Sequence, residues 1–196
     1  MSEQTPDTPA LPDLDDAWLV VVDPQRIFAD PASEWGSPMF DAALGPIKSL
    51  RSGFGAARTI VTRWVPGPER PGSWGPYFER WGFADRPATD AVFDLVTPAA
   101  GWSSRGSIDL STFGKWGEPL TRVIGETPTI VLAGVSTDCC VISTALPAAD
   151  AGATVVVAAD ACAGSTQDNH EAALQVMSLY SPQIEVSTSA AVLSSR

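Results

Sequence analysis

Residues 129–159, TIVLAGVSTDCCVISTALPAADAGATVVVAA, decide the fold class. Thr129-Ile-Val-Leu-Ala-Gly134 is an unbroken apolar run, as a strand buried on both faces requires. A helix is expected from Cys140 to Ala151, and Gly152 suits the left-handed turn that ends helices. Thr154-Val-Val-Val-Ala-Ala159 is a second buried strand. Strand, crossover helix and strand make a βαβ unit, and such units build parallel sheets covered by helices on both faces.

The same alternation extends outward. Trp18-Leu-Val-Val-Val-Asp23 reads as an opening strand. A helix over 40–57 carries Ile47, Leu50 and Phe54 on one stripe. Arg58–Thr62 is a strand, 107–110 a short one, and 116–124 a helix. Ser165–Tyr180 reads as a helix capped by Ser165 or Thr166 and stopped by Pro182. Ile184–Thr188 is an edge strand. These elements predict an α/β three-layer α-β-α sandwich with a mostly parallel, doubly wound sheet of about six strands, in one domain over 17–196. Residues 65–91 show no period and are rich in Pro, Gly, Trp and Arg, as functional or subunit-contact stretches often are.

Composition narrows the function. Of 196 residues, 44% are hydrophobic, enough for a real core, and no apolar run approaches the roughly 20 residues of a membrane span. The net charge is −11. Five of the acidic residues lie in residues 1–16 with no base, so that stretch is expected to be a disordered acidic tail. No Lys/Arg cluster offers a face for nucleic acid or an anionic membrane. The expected partner is a small-molecule substrate. The start lacks a secretion signal, so a cytoplasmic location is expected. Three cysteines, two adjacent, make a poor disulfide framework, and with one histidine and no CxxC a zinc site cannot be assembled. Neither a metal nor a cofactor is expected.

In a doubly wound sheet the site lies beyond the carboxyl ends of the strands. Asp23 stands there after the first strand, either as a turn residue or as a positioned carboxylate. Cys140 falls near a helix N-terminus, where backbone NH groups and the dipole favour a thiolate; the other reading is a packed thiol. Cys139 and Cys140 are expected to point apart, so at most one is a nucleophile. Lys115, between Phe113 and Trp116, is either an exposed lysine or a cation held in an ion pair. Together the three suggest a nucleophile, a proton acceptor and an electrostatic partner. His170 reads as a helix first-turn or interface residue.

Gly134-Val-Ser-Thr-Asp-Cys-Cys-Val141, followed by Thr144-Ala145, together with a strand ending in Asp23-x-Gln25, resembles the isochorismatase-like cysteine hydrolase superfamily, which includes nicotinamidase, N-carbamoylsarcosine amidohydrolase and isochorismatase. The likeness covers nearly all of 17–190. It implies Cys140 as nucleophile, Asp23 as general acid and base, and Lys115 as their electrostatic partner. It also implies a cis Val135–Ser136 peptide that turns the Ser136 NH toward the oxyanion beside the Cys140 NH. The implied reaction opens a small amide or ureido C–N bond through a thioester, in a homo-oligomer (dimer or tetramer). Two departures stand out. Thr62-Arg-Trp-Val-Pro66 lacks the metal-binding histidines of nicotinamidases, which points to a metal-free branch. The family lysine commonly stands three residues before an aromatic, a position held here by Leu110, whereas Lys115 stands two after Phe113. The alternatives are a vinyl-ether hydrolase with Asp23 as acid, and a non-catalytic member that binds a ligand or partner.

For substrate contacts the candidates are Gln25, Phe28, Trp35, Trp64 and Thr137. Trp74, Trp81 and Trp102 are read as packing. Arg63, Arg70, Arg80 and Arg105 either meet a substrate carboxylate or pair with Glu69, Glu79 and Asp85.

Overall fold

Alternate residues of the central strands are apolar on both sides, so the chain must cover two sheet faces. The computed structural model describes residues 11–196. Its strands are β1 (Trp18–Val22), β2 (Thr59–Trp64), β3 (Ser107–Leu110), β4 (Thr129–Val135), β5 (Thr154–Ala163) and β6 (Ile184–Ser187). They form one parallel sheet in the order β3-β2-β1-β4-β5-β6. The helices are α1 (Arg26–Ala29), α2 (Phe40–Phe54), α3 (Trp74–Arg80), α4 (Glu118–Ile124), α5 (Ile142–Asp150), α6 (Gln167–Ser178) and α7 (Ser189–Ser194).

Leu19, Val21, Val131 and Val156 pack in one cluster with Ile47 and Leu50 of α2 and Val192 of α7. Val20, Val22, Leu132 and Val157 pack in the other with Leu120 of α4, Ala145 of α5 and Met177 of α6. The period-2 alternation of the strands thus divides one apolar run between two cores. This is the three-layer, doubly wound sandwich expected. Thr166 caps α6 as read, its hydroxyl accepting from Asn169 N at 3.1 Å. No helix of the described residues is long and apolar enough to cross a membrane.

Several elements differ from the sequence reading, the short α1 and a β2 that runs on to Trp64 among them. α3 lies inside the stretch that shows no period, and α7 follows the last strand. β5 continues to Ala163, and Asp160 within it accepts from Ser189 N at 2.7 Å and Ser189 Oγ at 2.6 Å, fixing the start of α7. The helix expected from Cys140 begins at Ile142, after a π-type turn over Thr137–Val141. Residues 11–16 of the expected tail pack on the domain. Leu14 is fully buried in the α2-side core with Leu11 against it, and Asp16 pairs with Arg58 at 2.9 Å. The flanking acids mask these two leucines in the sequence. The remainder of the tail expectation, residues 1–10, lies outside the described residues.

The order reverses at β1 and β4, whose crossovers leave in opposite directions to β2 and β5. A crevice opens at the carboxyl end of such a pair. Gly134 sits there opposite Val22 with φ of 114°, and a Cβ on it would lie 2.7 Å from Val22 N. Only glycine lets the end of β4 approach β1 so closely, which brings the loop after Gly134 beside Asp23.

Candidate active site

Asp23 leaves β1 with φ of 45°, in the left-handed region that short polar residues tolerate. Its carboxylate is fully buried, with Oδ1 accepting from Thr62 Oγ1 of β2 at 2.7 Å. Lys115 Nζ lies 2.9 Å from Oδ2 and donates to Thr112 O at 2.8 Å. Lys115 is fully buried too, so it is the ion-paired cation and not the exposed lysine. It approaches from the loop after β3. Its backbone N donates to Thr144 Oγ1 at 2.9 Å, and that hydroxyl donates to Cys140 O at 2.7 Å. Thr144 therefore ties the lysine loop to the cysteine turn.

Cys140 lies in the Thr137–Val141 turn, 1% exposed, with its side chain beside Asp23. No aligned hydrogen bond reaches Asp23 Oδ2 in the resting site, as is common before substrate tightens a catalytic pair. The Val135–Ser136 peptide is cis. The Cys140 thiol is pushed well above the ordinary cysteine value by its hydrogen bond with Cys139, by burial and by the Asp23 charge, against which Lys115 acts. Burial likewise raises Asp23 above the usual carboxylate range, opposed by Lys115, Thr62 and Cys140. The Cys139 contact, enclosure and the Asp23 charge thus act against the expected thiolate, while Lys115 and the helix end act for it.

The two thiols also do not point apart. Cys139 and Cys140 lie close enough to shift each other's proton affinity, and both border one cavity.

The cavity, about 320 Å³, is walled by the rings of Phe28, Trp35, Tyr77, Trp81 and Phe113. Ser136, Cys139 and Cys140 also border it, as do the carboxyl-bearing Glu34 and Asp138. Trp35 stacks on Phe28 at 6.1 Å between centroids, and Tyr77 and Trp81 each lie 6.0 Å from it. Tyr77 and Trp81 come from α3 and its end, so the aperiodic stretch supplies part of the wall. Burial, with the nearby cysteines, pushes the Tyr77 hydroxyl up to about 12, so it stays protonated.

Of the five expected substrate contacts, Phe28 and Trp35 line the cavity and three do not. Trp64 is fully buried behind the wall, stacked on Phe113 at 5.9 Å. Gln25 spans the ends of two strands. Its Nε2 donates to Trp64 O at 3.0 Å and to Phe93 O at 2.7 Å, and its Oε1 accepts from Trp64 N at 2.7 Å. Thr137 is buried, with its hydroxyl 2.8 Å from His170 Nδ1. Trp81, read as packing, borders the cavity instead. The arginines are committed elsewhere. Arg63 pairs with Asp109, Nε to Oδ1 at 2.9 Å, and Arg70 pairs with Asp85. Arg105 donates to Ala57 O at 2.5 Å, and Arg80 lies 5.6 Å from the Trp81 centroid. None of the four lines the cavity.

Thr62, Thr144 and His170 were missed as site residues, although Thr144 lies within the motif. The Thr137–His170 contact anchors the cysteine turn to α6. Asp138 anchors it again, accepting from Ser165 N at 2.8 Å and Ser165 Oγ at 2.6 Å. Burial holds His170 below the ordinary histidine value of 6.5. A depressed folded value means that the unfolded chain takes the proton first. The stability from neutral His170 is therefore fully present above pH 6.5 and lost as pH falls through the folded value. His170 is the only histidine in the chain, so the effect is separable. Urea unfolding across pH 7.5 to 5 is expected to show stability falling on acidification, with a shallower fall in His170→Gln.

Among the described residues no group of three or more His, Cys, Asp or Glu side chains is placed to hold a metal ion. A family model described as Isochorismatase domain matches residues 17–191. None of the curated proteins compared with the chain matches it. A cysteine hydrolase from Pseudomonas syringae pv. phaseolicola 1448A is structurally similar, with a TM-score of 0.81 and 19% identity over 95% of this chain and 96% of that one. An isochorismatase-like hydrolase from Alkaliphilus metalliredigens gives 0.71 at 16% identity, covering 91% and 97%. N-carbamoylsarcosine amidase from Thermoplasma acidophilum gives 0.65 at 22% identity, covering 88% and 96%.

Proposed function

Since the chain belongs to the isochorismatase family, we propose that it is a cysteine hydrolase that opens small amide or ureido C–N bonds through a thioester on Cys140. The observation that carries this reading is the buried Asp23–Lys115 pair beside the Cys140 thiol at the edge of an enclosed cavity. Asp23 takes the thiol proton as sulfur attacks the carbonyl carbon. The C–N bond breaks and Asp23 passes the proton to the departing nitrogen, which leaves as ammonia or an amine. Water then attacks the thioester, Asp23 accepts its proton, and the acid departs as that proton returns to sulfur.

A thiol whose proton is held more tightly than usual makes the base necessary. The raised values of both Cys140 and Asp23 support a proton that moves between them on demand. Lys115 favours the ionised carboxylate and fixes its direction. Ser136 and Cys140, which both border the cavity, offer backbone NH groups to the oxyanion. The amidase among the structural neighbours supports the choice of a C–N bond.

A screen of small amides, ureas and carbamoyl compounds for ammonia release tests the reading. Rapid acid quench of a turning-over sample should show an acyl adduct by mass spectrometry, on the peptide that holds Cys140. Ammonia release with no sulfur adduct at any quench time would overturn the thioester.

A further inference from the structure

We propose that the substrate carries an alkylated ammonium group close to its scissile carbonyl. The inference rests on the hydrolase reading for the carbonyl, and on the cavity alone for the cation.

Three observations point the same way. First, aromatic rings dominate the wall, and their π faces attract cations, most strongly when water is excluded. Trp35 is central: Phe28, Tyr77, Trp81 and Phe113 all have centroids within 6.4 Å of it. Arg80, which does not line the cavity, already lies over the Trp81 ring, so that ring takes a guanidinium.

Second, among the described residues the only charged ones bordering the cavity are Glu34 and Asp138, both acidic. Glu34 is exposed at the rim, and no ion pair is found for it among the described residues. Asp138 accepts from the two neutral donors of Ser165, and no ion pair is found for it among the described residues.

Third, the arrangement lacks what an anion needs. No arginine borders the cavity, Arg63 and Arg70 are held in ion pairs elsewhere, Arg26 and Arg86 line a separate pocket on the other side of Glu34, and the Lys115 charge is matched by Asp23. A substrate carboxylate would meet two like charges and an apolar wall. A neutral aromatic group would fill the rings but leave both acids unanswered. An alkylated ammonium answers both, because its methyl groups pack on the rings while its charge faces the carboxylates. A volume of about 320 Å³ suits a compact group of this kind.

Binding to Cys140→Ala, measured by tryptophan fluorescence, separates the cation from the chemistry. The probes are trimethylammonium acetamide, its neutral isostere 3,3-dimethylbutanamide, and the anionic succinamate. The cation is expected to bind about 10-fold more tightly than the isostere, with succinamate weakest. The exposed Glu34→Gln variant, which should fold normally, is expected to narrow that ratio, and added salt to do the same. Equal or tighter binding of the neutral isostere, or a ratio unmoved by Glu34→Gln and salt, would overturn the inference. Wild-type hydrolysis of the neutral amide without preference for the cation would sink the ammonium site and leave the hydrolase standing. Preferential cation binding with no amide in the screen hydrolysed would do the reverse.

Discussion

Cys140→Ala is expected to reduce kcat/KM for the best ammonia-releasing amide by ~10⁴-fold or more, because a covalent route cannot proceed without its nucleophile. The substitution removes one sulfur from a residue that is 1% exposed, so the fold should survive it. Circular dichroism and the unfolding midpoint check that it does. Two other readings forecast different results. A vinyl-ether hydrolase that uses Asp23 as its acid would keep most of its activity in Cys140→Ala. A ligand-binding member would show no wild-type turnover to lose. Cys162 supplies an internal reference for reactivity. Burial pushes its thiol up to about 12, and it faces Leu132 O rather than the cavity. Cys140 borders the cavity and has Asp23 beside it to take its proton, so iodoacetamide should modify Cys140 well before Cys162. Equal rates at the two sites would remove the case for an activated nucleophile.

Asp23→Asn is expected to cost ~10²–10⁴-fold in kcat/KM, the usual worth of a positioned proton acceptor. It should also slow alkylation of Cys140 at neutral pH, because the thiol would have no base to receive its proton. The direction of the Asp23 shift adds a signature. The carboxylate must be ionised to act, and burial raises it above the usual range, so the acid limb of the wild-type kcat/KM profile should lie above that of an ordinary aspartate. Asn also leaves the fully buried Lys115 without its counter-charge, a loss worth about 3–5 kcal/mol when one partner of a buried pair is removed. Lost activity in the single variant could then reflect lost structure. The double variant Asp23→Asn/Lys115→Met separates the two, since it should recover stability but not activity. Recovery of activity along with stability would remove Asp23 from the chemistry.

The strands were legible because two-faced burial writes itself into consecutive residues. Val20, Val21 and Val22 are apolar in a row since they meet the two cores in alternation. Asp23 and Cys140 were legible for a related reason, as each follows directly from such a strand. α3 was not legible. Seven residues among prolines, glycines and arginines are too few to show a helical period, yet they deliver Tyr77 and Trp81 to the cavity. Thr62 and Thr144 left no local trace of their roles either. One reaches Asp23 across 39 residues, and the other reaches Lys115 across 29.

By itself the sequence determined the layer architecture, the site's place beyond the strand ends, and the cysteine and carboxylate that meet there. Hydrophobic periodicity and strand-end position are local properties, readable a few residues at a time. Only the tertiary structure decided that Lys115 is buried against Asp23, that enclosure pushes the Cys140 thiol up, and that five rings and two acids border what can enter. Charge state and cavity lining depend on which distant residues share one enclosed volume, where water no longer screens them.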